Sequence, residues 1–279
     1  MKNNTQSHTH TNPYDDMWYQ NQVSNAYRSA KIYVEHLQKI IQPKRVVDVG
    51  CGRGAWLKAF GESSATTLVG IDGTWNSQEK MVDPKVLFYG VDLNRPISID
   101  QERFDLGICL EVAEHLQPES AETFIRSLTN LSNVLVFGAA YSGQGGTDHF
   151  NEQPHSYWAE IFNGLGYLAY DYFRPALWGE TEVNFWYRQN TFLYVKQGSG
   201  EELQLSKLGL QPILNAKWMN CVHPAMYERI QHLSEISMTK RYIFTPIYSR
   251  IPKQLFPIAR HIKHLFIKPT QRVHQGGRT

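Results

Sequence analysis

Five strand-sized apolar runs, at residues 45–49, 68–72, 86–92, 104–110 and 134–139, alternate with helical patterns through the first half of the chain. Several are apolar on both faces, as strands sandwiched between two helical layers must be, and the intervening segments suit right-handed crossovers. Two later runs, 167–173 and 191–195, read as further strands, the second alternating Phe192 and Tyr194 with Leu193 and Val195. The expected architecture is an α/β fold with a doubly wound, mostly parallel sheet of seven strands. Apolar residues recurring every three or four positions from about Trp18 to Ile41, stopped by Pro43, predict an amphipathic first helix. Helices are also expected at 121–128 and at 157–165, the second ending at Gly166.

An apolar share of 42% and an aromatic share of 13% over 279 residues belong to a folded globular chain, which excludes disordered, collagen-like and disulfide-scaffold classes. The three cysteines, Cys51, Cys109 and Cys221, have no metal-ligand spacing. No stretch approaches the roughly 18–20 apolar residues of a membrane span, and the polar start lacks the apolar core of a signal peptide. A cytoplasmic location is expected. After Glu235 there is no acid while nine basic residues follow, leaving 19 Lys and Arg against 26 Asp and Glu in residues 1–235. An acidic body makes nucleic acid an unfavourable partner. The expected organisation is a polar arm with the start of the first helix at 1–24, a catalytic domain at 25–197, and a basic helical extension at 198–279. In that extension Leu255, Ile258, Ile262, Leu265 and Phe266 form a stripe suited to an anionic membrane surface at the inner face or to a protein partner.

The sharpest local signal is Val46-Val47-Asp48-Val49-Gly50-Cys51-Gly52-Arg53-Gly54-Ala55-Trp56-Leu57, a strand leading into a glycine-rich turn and then a helix. Glycine lets the backbone turn tightly and approach a ligand with no Cβ in the way. A dinucleotide fingerprint spaces its glycines Gly-x-Gly-x-x-Gly, whereas here the third arrives one position early. Asp48 is a poor neighbour for a pyrophosphate but can accept hydrogen bonds from a cationic amino group. Asp72, 24 residues on, can take both hydroxyls of a ribose. Asp92 is placed to accept from an adenine amino group. The three acids close or nearly close successive strands, at the sheet edge where open α/β folds bind ligands.

These residues resemble the class I S-adenosylmethionine-dependent methyltransferases over roughly residues 25–197. The resemblance implies a Rossmann-like methyltransferase fold. It also implies that Asp48, Gly50, Cys51, Gly52 and Gly54 wrap the methionine part of the cofactor, that Asp72 with Gly73 holds the ribose, and that Asp92 with Leu93 reaches the adenine, with Glu111 nearby.

After the fourth run comes Glu111-Val112-Ala113-Glu114-His115, and after the fifth Gly143-Gln144-Gly145-Gly146-Thr147-Asp148-His149-Phe150-Asn151-Glu152-Gln153. If the first enters a helical turn, Glu111, Glu114 and His115 share one side, and His149 can meet them from the neighbouring loop. An alcohol is a weak nucleophile that needs a general base or a metal to lower its pKa. Glu-x-x-Glu-His is similar to the metal-binding motif of small-RNA 3′-end 2′-O-methyltransferases and of some ubiquinone-pathway O-methyltransferases. By that resemblance Glu111, Glu114, His115 and His149 bind Mg²⁺ or another divalent cation. The alternative keeps Glu111 near the cofactor, Glu114 capping or ion-pairing and His115 packed at a helix end, with His149 or His115 as base.

Residues 141–194 hold 15 of the 35 aromatics, and Tyr141, Tyr157 and Trp186 are expected to line an acceptor pocket with Asn151 and Glu152. The Gly-Gly-Thr-x-His-x-Asn-Glu-Gln pattern followed by Tyr157-Trp158 is similar to bacterial methyltransferases of surface-polysaccharide and natural-product assembly. The expected activity is O-methylation of a small-molecule or saccharide hydroxyl. RNA-ribose methylation and a non-catalytic cofactor-binding partner protein are the alternatives.

Overall fold

A computed structural model describes residues 16–232, and the N-terminal arm to residue 15 and the basic stripe from Leu255 to Phe266 lie outside the described residues. Its sheet has the order β3-β2-β1-β4-β5-β7-β6, built from β1 (Arg45–Val49), β2 (Thr67–Asp72), β3 (Leu87–Gly90), β4 (Leu106–Leu110), β5 (Val134–Gly138), β6 (Tyr167–Tyr170) and β7 (Phe192–Lys196). Strands β1 to β5 pair in parallel, while β7 runs antiparallel to both β5 and β6. The order reverses between β1 and β4, which opens a crevice at their carboxyl ends.

Alternation along the strands divides the core into two layers. Val46, Leu106, Ile108, Val134, Val136, Leu193 and Val195 pack with Tyr33, Leu37, Trp56, Phe60 and Phe173 on one face. Val47, Val49, Cys109, Leu135, Phe137, Phe192 and Tyr194 pack with Phe124, Ile125, Trp158 and Phe162 on the other. The first layer is closed by α1 (Asp16–Leu37), α2 (Ala55–Gly61), α5 (Phe173–Leu177) and α6 (Phe185–Asn190), and the second by α3 (Ala121–Leu131) and α4 (His155–Gly164). This is the doubly wound, seven-stranded sheet expected from the apolar runs.

Three details depart from the sequence pattern. The chain crosses from β3 to β4 without a helix; Leu93 and Ile97 of this connection still plug into the second layer. The sixth strand stops at Tyr170, because Phe173 turns inward at the start of α5 and is fully buried there. Finally, the punctuation at residues 198–200 opens α7 (Gly200–Lys207), capped by the Ser199 hydroxyl accepting from Glu202 N–H, and does not end the packed core. Leu205 enters the first layer and Met219 the second, and the Met219 carbonyl accepts from Arg174 at 2.7 Å while facing His155 Nδ1 at 2.9 Å. The compact unit holding the sheet runs to Tyr227; from Glu228 a second unit begins, of which only 228–232 fall among the described residues.

The tightest packing in the second layer is aromatic. Phe162 is fully buried, stacks on Tyr194 at 4.0 Å and meets Phe137 edge-on at 5.2 Å. Its removal takes away apolar burial and leaves a cavity beside the Tyr194 and Phe137 rings. Phe162→Ala should therefore cost about 3–5 kcal/mol in equilibrium denaturation; a loss below about 1 kcal/mol would show that the cluster relaxes.

Candidate active site

After β1 the chain turns through Gly50, Gly52 and Gly54, all with left-handed φ of +80°, +52° and +79°, into α2. At Gly50 a Cβ would stand 2.1 Å from Val112 Cγ2, so the loop is pressed against the turn that follows β4. At Gly52 a Cβ would meet nothing within 4 Å, which leaves that face open to a ligand. Asp72 accepts the N–H of Gly52 at 2.7 Å and of Gly73 at 2.6 Å, and the Asn76 amide donates to the Gly52 carbonyl. The acid at the end of β2 thus also shapes the glycine loop. Asp92 is exposed, accepting Asn94 N–H at 3.0 Å and pairing with Arg95 at 3.4 Å, and Leu93 beside it is buried. Trp75, which no spacing marked, stands over Gly73 so closely that a Cβ there would lie 2.3 Å from its indole nitrogen, and it is half exposed.

Four carboxyl groups converge behind this loop. Burial, then the neighbouring Asp72, pushes Asp48 up to about 8. Burial also raises Asp72, against the pull of its two backbone hydrogen bonds. Glu111, in a left-handed backbone conformation at φ +56°, accepts from the amides of Asn190 at 2.8 Å and Gln144 at 2.6 Å; burial still raises its carboxyl. Glu114 is fully buried with no well-formed hydrogen bond on either oxygen, and burial followed by the Glu111 charge raises it well above the usual carboxylate range, against the pull of the nearby backbone at Glu114 and Ala140. All four acids, after burial itself, raise the Cys109 thiol, and Cys51 is raised likewise by burial, Asp48 and Asp72. Neither thiol is a nucleophile in such surroundings. Among the described residues no lysine or arginine pairs with any of the four. Buried acids without a cation are costly, and a cup of this kind favours a positively charged ligand.

The turn after β4 is a single 3-10 turn, Ala113–His115. Its Glu114 carbonyl accepts the N–H groups of Phe150 at 2.8 Å and Asn151 at 2.9 Å, which ties down the loop between β5 and α4. Glu114, His115 and His149 are thereby gathered so that one ligand atom from each lies within 4.8 Å of the others, with the two imidazoles edge-to-face at 4.7 Å. Glu111 stands apart from this trio, engaged by its two amides. His115 Nδ1 donates to the Asp148 carbonyl at 3.1 Å and His149 Nδ1 to Glu152 Oε1 at 2.7 Å, a tautomer assigned from these partners. Each ring is left with an Nε2 lone pair. Burial, then His149, lowers the His115 pKa. A buried carboxylate without a well-formed hydrogen bond, gathered with two imidazoles, fits a divalent cation of the kind that nitrogen and oxygen ligands share.

The expected acceptor residues are more enclosed than their loop positions suggested. Tyr141 packs on His155 at 4.8 Å, Tyr157 on Trp158 at 5.0 Å, and Trp186 lies between Phe185 and Tyr187. Asn151 is buried and accepts from Gln153, while Glu152 spends its oxygens inside its own loop. The exposed aromatic beside His149 is Phe150, at 58% exposure. Gln144 and Asn190, which hold Glu111, were equally invisible from sequence, since their meeting depends on the antiparallel insertion of β7.

Residues 18–139 match the family model described as a methyltransferase domain. No curated protein matches the chain. Three solved structures are similar to it. One is the magnesium protoporphyrin IX methyltransferase of Synechocystis PCC 6803 with bound SAH (17% identity, 67% of this chain and 90% of that one, TM-score 0.44). Another is an amino pentose methyltransferase from Micromonospora echinaspora involved in calicheamicin biosynthesis, with SAM bound (14%, 68% and 100%, TM-score 0.48). The third is an O-methyltransferase family protein from Burkholderia thailandensis (12%, 67% and 61%, TM-score 0.48). The matched residues 18–139 carry the glycine turn and strands β1 to β5, so over that part the chain is similar to the methyltransferase domain family.

Asp48 holds its proton more tightly in the folded than in the unfolded chain, so its contribution to stability falls as pH rises from its ordinary value near 3.8 to about 8. Asp48→Asn should stabilise the unliganded domain, with a gain that grows across that window and levels above it. The same variant should lose at least about 2 kcal/mol of S-adenosylmethionine affinity. Denaturation at several pH values and calorimetric titration check both halves.

Proposed function

We propose that this chain is an S-adenosylmethionine-dependent methyltransferase that transfers its methyl group to a hydroxyl of a small molecule, a sugar or glycoconjugate, and that Glu114, His115 and His149 hold a divalent cation such as Mg²⁺ at the acceptor. The observation that carries this reading is the trio itself, in which the buried Glu114 carboxylate, without a well-formed hydrogen bond on either oxygen, is gathered with a partly buried and an exposed imidazole whose Nδ1 atoms are both engaged. S-adenosylmethionine supplies a methyl group already activated on a sulfonium, so the protein's task is alignment and exclusion of water. A divalent cation would lower the pKa of a hydroxyl bound to it.

The rest falls to the chain. The open face of Gly52 and the acids Asp48 and Glu111 favour a ligand bearing ammonium and sulfonium charges. Asp72 and Asp92 remain the acceptors for ribose and adenine. His115 and His149 can take the hydroxyl proton on Nε2 where no ion is held. Phe150, exposed next to His149, offers an apolar plate for the face of a sugar ring.

RNA-ribose methylation draws on the same trio, through its likeness to the metal motif of the small-RNA enzymes. The excess of acids over bases in residues 1–235 weighs against it.

Calorimetric titration with Mg²⁺ in the presence of the demethylated cofactor should give a saturable heat that Glu114→Ala removes. Turnover on sugar and diol acceptors should fall by about 100-fold or more in His149→Ala. Methylation of hydroxyl acceptors undiminished by a chelator would leave the histidine-base mechanism, and methylation of RNA 3′ ends with no activity on sugars would overturn the acceptor class.

A further inference from the structure

One carboxylate in the acceptor loop is consumed by the loop itself. Glu152 Oε2 accepts the N–H of Gly143 at 2.8 Å, and Oε1 accepts the N–H of Gly145 at 2.7 Å together with the Nδ1–H of His149 at 2.7 Å. Gly143 and Gly145 have φ of +86° and +69°, left-handed values at which their N–H groups converge on one anion. The His149 ring lies directly over Gly146, where a Cβ would stand 2.1 Å from Nε2. At its far end the loop is anchored by Phe150 and Asn151 N–H on the Glu114 carbonyl. Glu152 is thus the closure of a ring of backbone whose other fastening is Glu114, the buried member of the trio.

We infer that Glu152 is a positioning residue for His149. Its carboxylate fixes the orientation and the Nδ1–H tautomer of the ring, so that the remaining lone pair on Nε2 is offered beside Glu114 and His115. A carboxylate behind a histidine acts in this way at metal and base sites alike, by fixing the tautomer and raising the basicity of the far nitrogen. With both oxygens engaged, Glu152 does not serve as an acceptor contact.

The tautomer part of this inference stands on the loop geometry; the metal part rests on the proposed function. In ¹⁵N-histidine-labelled protein, long-range proton–nitrogen spectra should show His149, assigned by its loss in His149→Gln, with its Nδ1 protonated and held in one tautomer. Glu152→Ala should release it to a mixture of tautomers, whereas Glu152→Gln, whose amide oxygen can still accept from Nδ1–H, should keep it. Mn²⁺ affinity, read by electron paramagnetic resonance, should fall about 10- to 100-fold in Glu152→Ala and recover in Glu152→Gln. Cofactor binding within twofold of the parent shows that a variant has folded. Should Glu152→Ala fail that check, Glu152→Asp, which keeps the charge but withdraws it by one methylene, should show the same release. A wild-type His149 spectrum in both the Ala and the Asp variant would overturn the inference. Absence of Mn²⁺ binding by the parent protein would overturn the metal reading alone, with the His149 spectrum still deciding the role of Glu152.

Discussion

The carboxyl edge of the sheet is organised around acids removed from water with no Lys or Arg paired to them among the described residues. Asp48, Asp72, Glu111 and Glu114 are all raised, burial being the first cause in each. Such groups weaken a fold unless something else is gained by keeping them. Their environments also differ in a useful way. Asp72 and Glu111 are hydrogen-bonded by backbone and amide donors, whereas Glu114 has no well-formed hydrogen bond on either oxygen. The first two are satisfied within the protein and help shape the cofactor cradle; the last is open to a ligand that brings positive charge.

Holding those groups in place falls to loops whose backbone conformations are uncommon. The glycine turn after β1 uses three left-handed residues and packs against Val112, so the cofactor loop and the turn carrying Glu114 and His115 share a contact. Glu111 and Asp148 are the non-glycine residues with positive φ among the described residues, and both flank the trio. Strain of this sort persists where surrounding bonds over-determine the backbone. Here the two amides on Glu111, the Glu114 carbonyl and the Glu152 carboxylate do so. The glycine turn after β1 and the loops carrying the trio are therefore one mechanical unit, and a substitution in one is expected to be felt in the other.

Much of the scaffold could be read from the chain. A period of two in runs such as Val46-Val47 and Phe192–Val195 separates two core layers, and the structure assigns each residue to the layer its parity implies. Asp48, Asp72 and Asp92 fall where successive strands end, because strand length and loop length are local properties. The missing helix between β3 and β4, the early end of β6 and the inward packing of Leu205 were not legible. Each depends on which surface another part of the chain leaves uncovered. The acceptor residues were the least legible. Tyr141, Tyr157 and Trp186 sit in or near loops by sequence and are half-buried, each with one face or edge against His155, Trp158 or Tyr187.

Sequence alone determined the kind of chain this is: a doubly wound sheet, a glycine loop placed for a nucleoside bearing an amino acid, and a pair of acid-and-histidine segments at the edge where ligands bind. These follow from periodicity and short spacings, which act within a few residues. Tertiary structure alone decided that Glu114, and not Glu111, joins His115 and His149, that Glu152 faces inward to His149, and that Gln144 and Asn190 hold Glu111. Apart from Glu152 and His149, which are three positions apart, those choices bring together residues 33 to 79 positions apart. They depend on the register of β5 against β7 and on the close passage of two loops, which no local pattern encodes.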